Sequence, residues 1–361
     1  MTSREKEILS YIERKPEVTQ AELAERFNIT RSSVGVYISN LIKKGKILRK
    51  EYVFPKKSYI TVIGGVNVDI GGFPYEKLKD YDSNPGEVTV SFGGVGRNIA
   101  ENLCRMGEEV EFITVLGDDM YGNAIKENSK ELGMNIENSL TIKNASTSIY
   151  LFILDENKNM KIAISAMELY NELTLEYIKS KKEIISNSQI CVVDTNISEE
   201  ILNYIVDNFE IPIAVDCVST TKAKKIEKII GKFHIIKVNK IEAEVLSGIE
   251  IKNEKDLKKT AEFFILKGVN QIFISLGEEG VYSATKSEII KRNSFKTNVV
   301  NTTGAGDAFM AGIIYSYLKE YDLEESTNFA IAAGTIAVES EKTISEEMSI
   351  QKINQIMEEN K

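Results

Sequence analysis

Six short apolar runs, at residues 59–63, 111–116, 190–194, 213–216, 235–239 and 271–276, recur along the chain with helical stretches between them. Few folds accept that order. Strands alternating with helices close into a parallel sheet covered on its faces, and such sheets place ligands beyond the carboxyl ends of their strands. The predicted fold class is therefore α/β, a doubly wound, mainly parallel sheet. Segments 87–90, 148–154 and 160–164 break the alternation. The last two are joined by the turn formers 155–159, and the three read as a small antiparallel β-lid.

At 361 residues the chain is long enough for more than one domain, and 42 % apolar with 27 % charged residues suits a globular protein with a sizeable core. No apolar run approaches the ~20 residues that span a bilayer, and residues 1–7 lack a signal-peptide apolar region. The expectation is a cytoplasmic protein with no membrane partner. Cys104, Cys191 and Cys217 form no C-x-x-C pair and read as buried fillers. The single histidine, His234, lies in an apolar run and reads as structural, which excludes a histidine-based triad and a multi-histidine metal site. Chemistry is left to carboxylates, lysines, backbone amides or a hard cation.

Net charge is −9 but unevenly spread: residues 1–57 carry 13 Lys and Arg against 7 Asp and Glu, a balance of +6 that leaves −15 for the remainder. Two domains, 1–57 and 58–361, with different partners are expected. In the first, two helices separated by a tight turn read from the sequence: Thr19 caps one, and Thr30 caps a second that runs to about Lys44 and ends at Gly45. Ile8, Leu9, Tyr11 and Ile12 give an apolar face ahead of them. The spacing is that of a helix-turn-helix, with Arg31, Ser32, Ser33, Gly35 and Tyr37 near the start of the helix that meets base edges. Residues 46–54 alternate in part and read as a basic β-wing, so that Lys46 and Arg49, with Lys43, Lys44 and Lys50, supply phosphate contacts. This segment resembles the winged helix-turn-helix domain of bacterial regulators, which implies double-stranded DNA as a partner. A docking or dimerisation module is the alternative. Residues 55–57 form a short link to the rear domain.

Toward the other end, Asn301-Thr302-Thr303-Gly304-Ala305-Gly306-Asp307 joins a turn of small residues to an apolar helix. Gly304, Ala305 and Gly306 let backbone amides approach an anion, and the helix adds free N–H groups and its positive dipole end. Asp307 would sit beside that anion, where a carboxylate accepts the proton of an attacking hydroxyl. The reading is a phosphoryl-transfer site. Segments 64–69 (Gly-Gly-Val-Asn-Val-Asp) and 93–98 (Gly-Gly-Val-Gly-Arg-Asn) add glycine pairs with polar side chains at fixed offsets. Three ordered motifs outweigh one.

Together the three motifs resemble the ribokinase family of carbohydrate and nucleoside kinases over roughly residues 58–361, and segments 82–86, 93–100 and 196–200 most resemble the pseudouridine kinases. The resemblance implies a ribokinase-like domain whose lid covers the sugar, with dimer contacts through the lid left open. It implies in-line transfer of the ATP γ-phosphoryl group to a ribose 5′-hydroxyl of pseudouridine or a related nucleoside. Asp307 is then the base and Gly304, Ala305 and Gly306 the anion hole. Asp69, taken to lie at the carboxyl end of the first strand, grips the ribose diol, helped by Asn67, Asn98 and the backbone of Gly93 and Gly94. Asn239 and Glu242 help hold Mg2+ through water and position the triphosphate, while Ser275 and Gly277 lie near ATP, without any Walker loop. Many relatives also use K+ beside the anion hole. Asn301 stands where many carbohydrate kinases carry aspartate, which leaves K+ dependence open. Ala166 stands where the pseudouridine-like subgroup often has a polar or acidic residue, which leaves base preference open. Two other functions stay in view: a kinase for another nucleoside or ribose, and a transcription regulator whose kinase-like domain senses ligand.

Overall fold

The computed structural model describes residues 1–16, 18–47, 59–157 and 159–360. The chain divides into two compact units, Met1–Ser58 and Tyr59–Lys361.

In the front unit three helices, Ser3–Arg14, Gln20–Arg26 and Arg31–Lys43, pack around Ile8, Ile12, Leu23, Val34, Ile38 and Leu41. The two helices expected from their threonine caps are there, and the apolar face of Ile8 and Ile12 belongs to a helix of its own. Each helix starts on a threonine that accepts a backbone N–H, and Thr2 and Thr19 form capping boxes with Glu5 and Glu22. Beyond Ile47 the expected wing, including Arg49 and Lys50, lies outside the described residues.

The rear unit contains β1 (Tyr59–Ile63), β2 (Asn67–Pro74), β3 (Gly86–Gly93), β4 (Glu109–Ile113), β5 (Val115–Gly117), β6 (Leu140–Ile142) and β7 (Ile149–Leu154). There follow β8 (Met160–Ala166), β9 (Cys191–Asp194), β10 (Ile213–Asp216), β11 (Ile235–Asn239), β12 (Gln271–Ser275), β13 (Val281–Ala284) and β14 (Ile289–Arg292). Eight form the main sheet in the order β14-β13-β12-β11-β10-β9-β1-β4, parallel from β12 to β4 and antiparallel at the β13 and β14 edge. Its central strands are buried on both faces and so read as unbroken apolar runs. On one face Val62, Val192 and Phe273 pack with helices Val95–Arg105, Ala305–Leu318 and Leu323–Val338. On the other, Ile63, Val193 and Val238 pack with helices Glu199–Asn208 and Glu254–Lys267. This is the doubly wound arrangement. The expected strand 111–116 is in fact two, because β4 ends at Ile113 and β5 leaves the sheet to pair with β6.

The lid has four strands in the order β3-β2-β7-β8, where the sequence suggested three. β2 is the addition, and it corrects the place of Asp69: β1 stops at Ile63, so Asn67 and Asp69 lie on a lid strand. Side chains alternate across a strand, and the register therefore sorts the lid into two faces. Val68, Ile70, Val88, Val90, Ile149, Leu151, Ile162, Ile164 and Ala166 share one; Asn67, Asp69, Ser91, Tyr150 and Ser165 share the other. Val88, Val90, Ile162 and Ile164 are each more than half exposed.

Candidate active site

Asn301 folds the anion turn onto itself: its Oδ1 accepts the Thr303 N–H at 2.9 Å, and its Nδ2 donates to the Glu341 carbonyl at 3.2 Å. Gly304 follows at φ +81°, a left-handed conformation that L side chains enter at a cost, and a Cβ there would overlap the Thr343 carbonyl oxygen. The turn then delivers Ala305 as the first residue of its helix. Among the described residues the amides of Gly304 and Gly306 donate to nothing, and that of Ala305 only reaches the Thr302 carbonyl at 3.4 Å. Unbonded N–H groups at a helix start are an anion site. Gly304, Ala305 and Gly306 thus come together as the sequence suggested.

Asp307 opens inward from that helix and is 8 % exposed. Its Oδ2 accepts the Asn98 Nδ2 at 2.7 Å. Burial, and next the negative charge of Asp216, push its carboxyl up to about 7, against the pull of Lys237 and the Asn98 hydrogen bond.

Lys237 is the neighbour that sequence reasoning missed. It lies on β11, and its Nζ is 2.8 Å from Asp216 Oδ2 at the end of β10. A Cβ added to Gly306 would lie 2.8 Å from that Nζ, so the ammonium presses on the anion turn. Burial opposes its charge, but Asp216, Asp307 and Glu242 outweigh the burial and hold it above the ordinary lysine range. A signal was available: a lysine inside the apolar run 235–238 has to find a partner or leave the core.

Asn239 and Glu242 begin the helix Lys240–Ser247 as a capping box, Glu242 Oε2 accepting the Asn239 N–H at 2.8 Å and Asn239 Oδ1 accepting the Glu242 N–H at 2.9 Å. Glu242 is buried, which raises its carboxyl above the usual range, and its Oε1 accepts no hydrogen bond from the described residues. One carboxylate oxygen thus stays available beside Asp216 and Lys237. No cluster of three acidic, histidine or cysteine side chains capable of holding a metal occurs among the described residues. A cation here would need water or phosphate oxygens to complete its shell. Ser275 pairs with Asn239 across β12 and β11, and its Oγ donates to the Val238 carbonyl at 3.3 Å, so with Gly277 it borders the same strand ends.

On the lid side Asn67 Nδ2 donates to Asp69 Oδ1 at 2.6 Å, and Gly93 is bare where a Cβ would overlap Asp69 Oδ2. Burial raises the Asp69 carboxyl against the pull of Asn67 and Arg97. Behind them Asp194 uses one oxygen three times, accepting from the Gly65 and Gly96 amides at 2.8 Å each and from Asn196 Nδ2 at 2.9 Å. Gly64 and Gly96 approach so closely that a Cβ on Gly96 would lie 2.7 Å from Gly64 Cα. Asn98, expected with the diol grip, gives one of its two amide N–H donors to Asp307, so it links the lid-side residues to the anion turn. Ala166, expected to bear on base preference, shares the lid face of Val68 and Ile149; its neighbour Ser165 shares the face of Asp69.

In the front unit Arg31, Ser32 and Lys46 are exposed and Ser33 is partly exposed. The hydroxyls of Ser32 and Ser33 each lie 2.8 Å from Thr30 Oγ1, so both support the helix start. Tyr37 packs half-buried on the apolar core. Lys44, counted in the basic cluster, is held by the buried Glu5 at 2.7 Å.

Residues 57–350 match the model of the pfkB family carbohydrate kinases, and residues 1–47 match a winged helix-turn-helix DNA-binding model. The chain is 37 % identical over 305 residues to the pseudouridine kinase of Escherichia coli strain K12, a match covering 84 % of this chain and 97 % of that protein. An uncharacterized sugar kinase of the same strain, YeiI, is 34 % identical over 93 % of this chain and 94 % of its own length, so its likeness extends into the front unit. The crystal structure of a putative sugar kinase from Clostridium perfringens superposes with a TM-score of 0.78 at 37 % identity, covering 84 % of this chain and 97 % of that one.

Proposed function

We propose that this chain, which belongs to the pfkB family of carbohydrate kinases and is therefore a phosphotransferase acting on an alcohol group, uses ATP to phosphorylate the ribose 5′-hydroxyl of pseudouridine. The observation that carries the proposal is the buried Asp307 carboxylate at a helix head, between unbonded amides and beside the Lys237 ammonium. With its carboxyl near 7, Asp307 is substantially ionised at neutral pH and can take the hydroxyl proton as the oxygen attacks in line. The proton passes to Asp307 as the new O–P bond forms and the bond to the leaving phosphate breaks. The amides of Gly304, Ala305 and Gly306, with Lys237, offset charge on the moving phosphoryl oxygens.

Asp69 supports the choice of a ribose diol, since a carboxylate already oriented by Asn67 can accept two further hydroxyls. The choice of pseudouridine rests on the 37 % identity to the kinase of that name. Mg2+ bound with the nucleotide supplies charge neutralisation. Glu242 and Asn239 are the residues that would hold it, through water, and Ser275 and Gly277 would border the nucleotide. Asn301 has both side-chain polar atoms engaged within the protein, which supports a site working without K+.

Residues 1–57 form in this proposal a DNA-binding regulatory domain ahead of a kinase domain at 58–361. Arg31, Ser32, Ser33, Tyr37, Lys46 and Arg49 are its candidate contacts, and the winged helix-turn-helix match supports them. The exposed apolar face of the lid supports pairing with a second copy. A DNA-binding, ATP-using enzyme of this kind works in the cytoplasm; no helix among the described residues is long and apolar enough to cross a membrane.

The test is ATP consumption with Mg2+ on pseudouridine, uridine, adenosine and ribose, with product masses measured. Preference for pseudouridine supports the proposal, and another preferred acceptor keeps the mechanism but replaces the substrate. Silence on all four shifts the reading to a nucleoside-sensing regulator, the role the front unit favours.

A further inference from the structure

We infer that Asn98 is a positioning residue for the transfer: its side-chain amide aims the Asp307 carboxylate, so that the turn beginning at Gly93 sets the direction of the base as well as meeting the acceptor. The inference rests on the reading of Asp307 as the base.

Asn98 and Asp307 stand 209 residues apart, yet Nδ2 and Oδ2 meet at 2.7 Å with both side chains buried. Among the described residues no other side chain donates a hydrogen bond to Asp307. The charged groups facing it are Asp216 from β10, Lys237 from β11 and Asp194 from β9. Asp216 and Lys237 are bonded to one another, and Asp194 to backbone amides and Asn196. They set the charge around Asp307 but do not turn it. Only the Asn98 amide has the short, directed contact that fixes which oxygen points where.

Asn98 is itself held. Its N–H donates to the Gly94 carbonyl at 2.8 Å, and its carbonyl accepts Asn102 Nδ2 at 2.8 Å. The carboxylate also decides the amide's orientation, because an amide oxygen turned toward Asp307 would set two acceptors against each other. Oδ1 must therefore face away, and it is buried with no protein partner. A buried acceptor with no donor among the described residues is open to a water or a ligand hydroxyl. An acceptor hydroxyl donating to Oδ1 would be joined through one rigid amide to the carboxylate that takes the proton.

The test is the pH dependence of kcat/KM for the full-length protein with pseudouridine and saturating ATP. Asp307 accepts only when ionised, so activity rises with pH through its pKa, and the wild-type acid limb is expected near 7. Asn98→Ala removes a donor that favours the ionised form, so its limb moves to higher pH, by on the order of one unit. Asn98→Asp keeps the side chain's size but puts a second carboxylate there, and its limb moves further up. A purely structural asparagine would lower activity at every pH with the limb unmoved. If both limbs stay at the wild-type pH the inference is overturned; if Asn98→Ala does not fold, the same-sized Asn98→Asp decides alone. Asp307→Asn separates the two readings. An Asp307→Asn enzyme that still turns over removes the base assignment and this inference with it, whereas an inactive one beside unmoved Asn98 limbs removes this inference only.

Discussion

Gly304→Ala measures how far the anion turn depends on its shape. Alanine at φ +81° carries left-handed strain of about 1–2 kcal/mol. The added methyl also meets Thr343, with Cγ2 at 2.9 Å, the carbonyl carbon at 3.0 Å and the carbonyl oxygen closer still. Two of those atoms are backbone, so the turn and the segment around Thr343 must part by about 1 Å to restore an ordinary carbon–oxygen contact. Overpacking of this kind costs about 1–3 kcal/mol. Together the two terms reach about 2–5 kcal/mol, which lowers the main melting transition by roughly 4–20 °C at about 2–4 °C per kcal/mol. A shift near 1 Å in groups that stabilise the transition state lowers kcat about 100-fold. Gly248→Ala is the control, because Gly248 is left-handed too, at φ +70°, but a Cβ there would meet no atom of the described residues within 4 Å, and it caps the helix Lys240–Ser247. That variant carries only the strain and should keep its kcat. Scanning fluorimetry and steady-state kinetics on both proteins read the two effects separately. If Gly304→Ala melts and turns over like Gly248→Ala, the crowding at Thr343 has been misjudged and the amides are not held by it.

Three other outcomes follow from the geometry. Ile164→Glu puts a charge on the exposed apolar lid face, and a protein that pairs through that face should drop to monomer mass in light scattering; an unchanged mass removes the lid as an interface. Arg31→Ala should weaken binding to a short mixed-sequence duplex and flatten the plot of log K against log salt by about one unit, and an unaltered slope places the DNA contact elsewhere. Rates in potassium and sodium chloride should agree for the wild type, whereas Asn301→Asp, which offers a carboxylate oxygen, should acquire a preference for potassium; potassium activation of the wild type contradicts the role given to Asn301.

What the sequence disclosed depended on how local the cause was. β10 and β11 match the expected runs to the residue, because strands buried on both faces need unbroken apolar stretches. β2 escaped because Asp69 was placed at the end of the first strand, although Val68 and Ile70 alternate with Asn67 and Asp69 as in a strand of their own. The anion turn was legible, since glycines before an apolar helix carry their own geometry. The partners of Asp307 were not: Asn98 lies 209 residues away, and Lys237 meets Asp216 only because β10 and β11 pair in parallel. The N-x-x-E motif was visible, but the same spacing that suggested a metal-side pair is that of a capping box, and the two residues answer to each other first.

The shared oxygen of Asp194 has a mechanical consequence. β2 begins two residues after Gly65, and β3 ends three residues before Gly96, so these two lid strands leave the body beside amides pinned to one atom. Two strands tied at one atom cannot slide past each other there, so Asp69 on β2 and the bare Gly93 that faces it on β3 keep their fit as a pair: whatever displaces one root displaces the other, as two pages turn on one stitch.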